Sequence, residues 1–218
     1  MFVINCKNYE EISGDKIIKF VKIAEKVSKK YKVKIVIAPP QHLIGLVANS
    51  SIQILAQHID DSKVGSTTGF VIPELLKKSK VKGSLINHSE HRISSKDIQK
   101  LVLKLKELKM TSIVCVKDVA EIKKYVKLNP DYIAIEPPEL IGSGKAVSKE
   151  QPELIAKAAK AVKDARNNTK LLCGAGIISG EDVTKAIELG SKGILVASGI
   201  IKAKNWNNII SEFAEALV

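Results

Sequence analysis

Eight short apolar runs recur along the 218-residue chain, at residues 2–5, 33–38, 52–56, 83–86, 111–116, 132–135, 170–173 and 193–197. Most are continuous rather than alternating, the mark of strands covered on both faces. The stretches between them, such as 15–30 and 94–110, are amphipathic and supply helices for that cover. The runs start about 27 residues apart, close to one strand-plus-helix unit. Right-handed crossovers then close a parallel sheet on itself, so the expected fold is α/β, a (β/α)8 barrel with a closed eight-stranded parallel sheet. An open doubly wound sheet is the structural alternative. No linker or low-complexity segment interrupts the chain, and residues 1–218 are expected to form one domain.

Helix signals agree with this partition. Ser94, Ser95 and Ser179 stand as caps, Pro152 lies in an early helical turn, and Gly190 closes the helix that follows Glu181. The longest irregular stretch is expected at 136–148, where two prolines and two glycines point to a binding loop or lid. A second loop candidate is Gly65-Ser66-Thr67-Thr68-Gly69-Phe70.

The net charge of +12 raises the question of nucleic acid. Only Arg92 and Arg166 are arginines among 35 basic residues, however, and aromatics make up 4%. Base reading favours arginine's planar fork, and stacking needs aromatic rings, so a lysine-rich solvated surface explains the charge better. Cys6, Cys115 and Cys173 are odd in number, lack C-x-x-C spacing and each ends an apolar run, as expected of reduced, buried thiols in a cytosolic protein. The first residues turn polar too soon for a signal peptide, and no apolar stretch approaches membrane-span length. The expectation is a cytoplasmic protein with no membrane or nucleic-acid partner.

In a β/α barrel, chemistry gathers where strands end and βα loops begin. The polar strand ends here are Asn5-Cys6-Lys7, Asn87-His88-Ser89-Glu90, Glu136-Pro137-Pro138, Cys173-Gly174-Ala175-Gly176 and Ala197-Ser198-Gly199. Glu136 follows Tyr132-Ile133-Ala134-Ile135 directly, so partial desolvation makes it a stronger base toward a carbon acid. An isolated Glu at such a place is usually an ion-paired or capping residue, and the lid that follows favours the general base. His88, held neutral by a following helix N-terminus, is suited to polarising a carbonyl. Lys7 is a fixed cation for a developing oxyanion or a phosphate, with a Schiff-base role as the chemical competitor. Small-residue turns at Gly142-Ser143-Gly144, Gly174-Ala175-Gly176 and Ala197-Ser198-Gly199 let backbone N–H groups approach phosphate oxygens, the last two in the loops where barrels bind phosphate. His58, Asp60 and Asp61 lack the spacing of a tetrahedral metal set, and proton transfer needs no metal, so no metal and no cofactor is expected.

Together, Asn5-Cys6-Lys7, Asn87-His88-Ser89-Glu90-His91-Arg92, Ile135-Glu136-Pro137 with Ile141-Gly142-Ser143-Gly144-Lys145, and Cys173-Gly174-Ala175-Gly176 resemble triosephosphate isomerase from end to end. The resemblance is to the shorter archaeal-type branch, which implies a TIM barrel with trimmed helices and a homo-oligomer, dimer or tetramer. It further implies that Lys7 stabilises an enediolate, that Asn5 helps orient it, that His88 is the electrophile, and that Glu136 moves the proton between carbons, with Glu90 behind them. Ile141, Gly142, Gly174, Ala175, Gly176, Ala197 and Ser198 match positions that bind a small phosphorylated triose. The Gly65–Gly69 loop resembles the one that family dimers insert into a neighbour, bringing Thr68 toward the partner's site. The general assignment of a Glu base and a neutral His is the family's standard one. Five positions depart from it: Phe70 and His91 remove a common ion pair, Pro138-Glu139 replaces a common lid hinge, and Cys173 replaces a lid-latching tyrosine. Two competing functions remain at this level, a phosphosugar aldolase using Lys7 as Schiff base and a basic nucleic-acid-binding module.

Overall fold

A computed structural model describes residues 1–140 and 146–218. Its strands are β1 Phe2–Asn5, β2 Ile35–Ala38, β3 Gln53–Ile54, β4 Gly83–Ile86, β5 Thr111–Val116, β6 Tyr132–Ile135, β7 Lys170–Cys173 and β8 Ile194–Val196. The helices are α1 Lys16–Tyr31, α2 Ile44–Val47, α3 Pro73–Lys78, α4 Ser95–Glu107, α5 Val119–Tyr125, α6 Val147–Glu150, α7 Pro152–Asp164, α8 Gly180–Glu188, α9 Ser198–Ile201 and α10 Trp206–Glu215. The eight parallel strands run in the order β3-β2-β1-β8-β7-β6-β5-β4. The sheet closes between β3 and β4, where Lys82 N–H donates to the Ile54 carbonyl at 2.8 Å and Leu85 N–H to the Ala56 carbonyl at 2.9 Å. The expected barrel is present, and every apolar run became a strand.

Two apolar cores follow from strand alternation. Val3, Val36, Leu55, Leu85, Ile113, Cys115, Ala134, Leu172 and Leu195 fill the barrel interior. Phe2, Ile4, Ile35, Ile37, Ile133 and Ile135 face outward against the helices. The covering helices bury one stripe each, Ile17, Phe20, Val21, Ala24 and Val27 in α1 and Ile98, Leu101, Val102 and Leu105 in α4. That spacing is the helical repeat of near 3.6 residues. Burying a side chain of this size stabilises the fold by about 1.5–3 kcal/mol. Phe20 and Trp206 meet edge-on at 5.1 Å, locking α10 onto α1.

Several local signals act as read. Ser94 accepts from Asp97 N–H, Ser179 and Asp182 form a reciprocal capping box, and Pro152 opens α7. Strand and helix alternate as expected, with trimmed helices: α2 and α9 have four residues and α3 six. One expectation is corrected. The longest stretch without helix or strand among the described residues is 55–72, not 136–148, because Pro138–Leu140 and Val147–Glu150 form short helical turns. Cys6, Cys115 and Cys173 are free and buried, as expected.

Gly193 shows how tightly β8 is seated. Its φ is +157°, and a Cβ there would lie 2.0 Å from the Met1 carbonyl oxygen. Gly193→Ala is therefore expected to destabilise the fold by about 3 kcal/mol or more. Gly45 in α2 has open space around it and an ordinary φ, so Gly45→Ala is expected to stabilise by about 0.5–1 kcal/mol. Urea unfolding of both variants checks the contrast.

Candidate active site

The strand repeat of two residues also builds the site. Val3, Leu85, Ala134, Leu172 and Leu195 point into the barrel. Two residues further along each strand come Asn5, Asn87, Glu136, Gly174 and Ala197, which inherit that direction at the carboxyl-terminal mouth. Asn5, Asn87, His88 and Glu136 are all buried there.

Lys7 adopts a left-handed backbone, φ 46°, which a residue with a Cβ occupies only when held. Its N–H donates to Asn5 Oδ1 at 3.0 Å, and Gln57 Nε2 donates to its carbonyl at 3.0 Å. This turn points the side chain across the mouth, where Nζ meets Glu90 Oε1 at 2.6 Å. Asn87 is left-handed too, φ 64°, and is fixed by donating to the Cys115 carbonyl and accepting from Ile93 N–H. Gln57 and Asn87 thus position Lys7 and His88, and the sequence reading singled out neither for a role. Their only signal was a polar residue just beyond an apolar run.

His88 Nε2 stands 3.5 Å from Glu136 Oε1. Its other ring nitrogen, Nδ1, accepts from Glu90 N–H at 3.2 Å. A lone pair is needed on Nδ1 for that contact, so the geometry assigns the proton of the neutral ring to Nε2, facing Glu136. The expected cause of neutrality is corrected. The next helix starts at Ser95, and the His88 pKa lies above its ordinary value rather than below it. Burial pushes the pKa down, but the adjoining Glu136 and then Glu90 carboxylates outweigh burial and the opposing charge of Lys7.

Glu136 is held by its N–H to the Val116 carbonyl at 2.8 Å. Its Oε2 is buried without a hydrogen-bond partner, an arrangement that a carboxylate tolerates poorly unless a ligand completes it. Burial and the nearby Glu136 charge push the Cys115 thiol well up, so it stays protonated beside the carboxylate. Gly174 lies against Glu136 rather than in the open site, since a Cβ there would meet Glu136 Cγ at 3.0 Å and Leu195 Cβ at 3.2 Å.

Two cavities meet at this mouth. One of about 260 Å³ is lined by Lys7, Glu136, Ala175, Gly176, Ala197, Ser198 and Lys202, among others. The other, about 800 Å³, takes in Asn5, Lys7, His88 and Glu90 with Tyr9, His42, His58 and Asp60. A further cavity of about 1010 Å³ lies at the opposite end, around Met1, Lys34 and Lys192, and touches no predicted site residue. Ile141 and Gly142, with Ser143, Gly144 and Lys145, lie outside the described residues. His58 binds Asp60 Oδ1 at 3.1 Å and stacks on His91 at 3.9 Å, so the residue that departs from the family pattern has an aromatic partner within the chain.

Fold and cluster define a β/α-barrel enzyme whose buried carboxylate, imidazole and lysine share one mouth. The family model of triosephosphate isomerase matches residues 1–213. A triosephosphate isomerase from Cenarchaeum symbiosum (strain A) is 57% identical, covering 100% of this chain and 97% of that one. Those of Methanothermus fervidus and Methanocaldococcus jannaschii are each 46% identical over 97% of this chain, covering 96% and 97% of theirs. The chain belongs to the triosephosphate isomerase family.

Two outcomes follow from this geometry. Gly174→Ala crowds Glu136 and is expected to lower kcat on the order of 10- to 100-fold with KM little changed, read by steady-state kinetics. A His88 pKa raised above 6.5 contributes stability that is complete below that pH and is lost as pH rises through the folded value. The stability advantage of wild type over His88→Gln should therefore be largest below pH 6.5 and shrink above it, measured by urea unfolding at several pH values.

Proposed function

We infer that this protein interconverts D-glyceraldehyde 3-phosphate and dihydroxyacetone phosphate without a cofactor, as a single barrel domain over residues 1–218. The observation that carries the reading is the buried Glu136 carboxylate, with one oxygen facing His88 Nε2 and the other without a partner. A substrate between the two presents its carbon to Glu136 and its carbonyl oxygen to His88. Glu136 removes the proton beside the carbonyl while the Nε2–H polarises the oxygen. The resulting enediolate is stabilised by Lys7 and oriented by Asn5, His88 passes the hydroxyl proton from one oxygen to the other, and Glu136 returns the carbon-bound proton to the neighbouring carbon. Glu90 acts behind them, through its ion pair with Lys7 and its N–H on His88. Gly176, Ala197 and Ser198, with Ala175, line the phosphate end. Ile141, Gly142 and Gly174 carry binding roles through the family resemblance, and for Gly174 the crowding against Glu136 favours a spacer role.

The protein works as a homo-oligomer, dimer or tetramer, through the 65–69 loop. Val64 and Phe70 at that loop are 53% and 55% exposed, large apolar side chains that a partner would cover. The 800 Å³ cavity exceeds what a triose needs beside Lys7 and offers room for a neighbour's loop. The enzyme is cytoplasmic in this reading, and among the described residues no helix is long and apolar enough to cross a membrane.

Glu136→Gln should cost about 10²- to 10⁴-fold in cofactor-free turnover of glyceraldehyde 3-phosphate, with product identified by a coupled dehydrogenase. Undiminished turnover would remove Glu136 from the mechanism. Borohydride in the presence of substrate should trap no adduct on Lys7, and a trapped one would favour the aldolase. Phe70→Asp should shift the protein toward monomers in analytical ultracentrifugation.

A further inference from the structure

One cation of the phosphate cavity has no part in the mechanism above. Lys202 lines the 260 Å³ cavity with Lys7, Glu136 and Ser198. Its ammonium rests over the ring of Tyr9, 4.8 Å from the centroid. Lys7, by contrast, is neutralised by Glu90 at 2.6 Å. Among the described residues Lys202 makes no ion pair with a carboxylate.

Charge balance makes this location consequential. Among the described residues Lys7 is paired with Glu90, which leaves the buried Glu136 carboxylate facing the 260 Å³ cavity. A phosphodianion entering such a site is repelled unless another cation answers it. Lys202 is that cation by position. Its backbone is fixed at the rim, with its N–H donating to the Ser198 carbonyl at 3.0 Å. Trp206 Nε1 holds the preceding Ile201 carbonyl at 3.0 Å, so only the side chain is free to swing. The hold of the half-buried Tyr9 ring on an ammonium is weak beside a charge-assisted bond to phosphate.

We propose that Lys202 is a phosphate-binding residue whose ammonium leaves the Tyr9 ring to meet the substrate's phosphodianion, selecting phosphorylated over unphosphorylated trioses. The proposal rests on the isomerase reading for its substrate. Its first test does not, because it uses inorganic phosphate as the probe.

Inorganic phosphate is titrated by calorimetry into wild type, Lys202→Met and Lys202→Arg, each shown to be folded by circular dichroism. Lys202→Met should weaken phosphate binding about threefold to fivefold, and Lys202→Arg should retain most of it. In turnover, Lys202→Met should raise KM for glyceraldehyde 3-phosphate by a similar factor, leave kcat unchanged, and leave the slow reaction of unphosphorylated glyceraldehyde unchanged. The difference should shrink as salt approaches about 1 M. Unaltered phosphate affinity in folded Lys202→Met overturns the proposal, and so does an equal loss with glyceraldehyde. If wild type binds phosphate through Lys202 but turns over no triose phosphate, the isomerase reading fails and the Lys202 assignment stands.

Discussion

The inside of a closed eight-stranded sheet receives only alternate residues of each strand, and the active mouth depends on that parity. Val3, Leu85, Ala134, Leu172 and Leu195 occupy the interior, and the next residue of the same parity on each strand emerges at the carboxyl-terminal rim. A shift of one residue in β6 would bury Glu136 against the helices and turn Ile135 toward the substrate. The apolar interior therefore does more than stabilise. It fixes the direction of Asn5, Asn87, Glu136 and Gly174 before any of them makes a contact.

At that rim the molecule holds arrangements that a loose chain would abandon. Lys7 and Asn87 both occupy left-handed backbone, which costs about 1–3 kcal/mol per residue. Asn5, Gln57, Ile93 and the Cys115 carbonyl hold them through hydrogen bonds from β1, β5 and the loops after β3 and β4. The buried Glu136 is unfavourable on its own, and the rigid barrel keeps it next to His88 rather than letting it turn to solvent. The strain at Lys7 and Asn87 and the unpartnered Glu136 oxygen come together at this rim, and the two apolar cores supply the stability that tolerates both.

Much of this was legible beforehand, for a physical reason. Strands buried on both faces must be continuously apolar, so all eight could be read from local composition, β3 and β8 included. Caps such as Ser94 and Ser179 are equally local, because the groups they satisfy lie within three residues. Lys7, His88 and Glu136 stood out because each is a polar residue where an apolar run stops. Gln57 and Asn87 stood at such ends too, but their tasks are hydrogen bonds to backbone groups on other strands, and nothing in their own neighbourhood announces them.

The sequence by itself determined the strand count, the parallel barrel and the candidate chemistry, because apolar period and strand-end polarity are properties of short segments. Only the tertiary structure decided how charges face one another. It raised His88 where a helix N-terminus was expected to lower it, because Glu136 arrives from a strand 48 residues away. It set Gly174 against Glu136 and left Lys202 over Tyr9, since both depend on which strand ends become neighbours once the sheet closes.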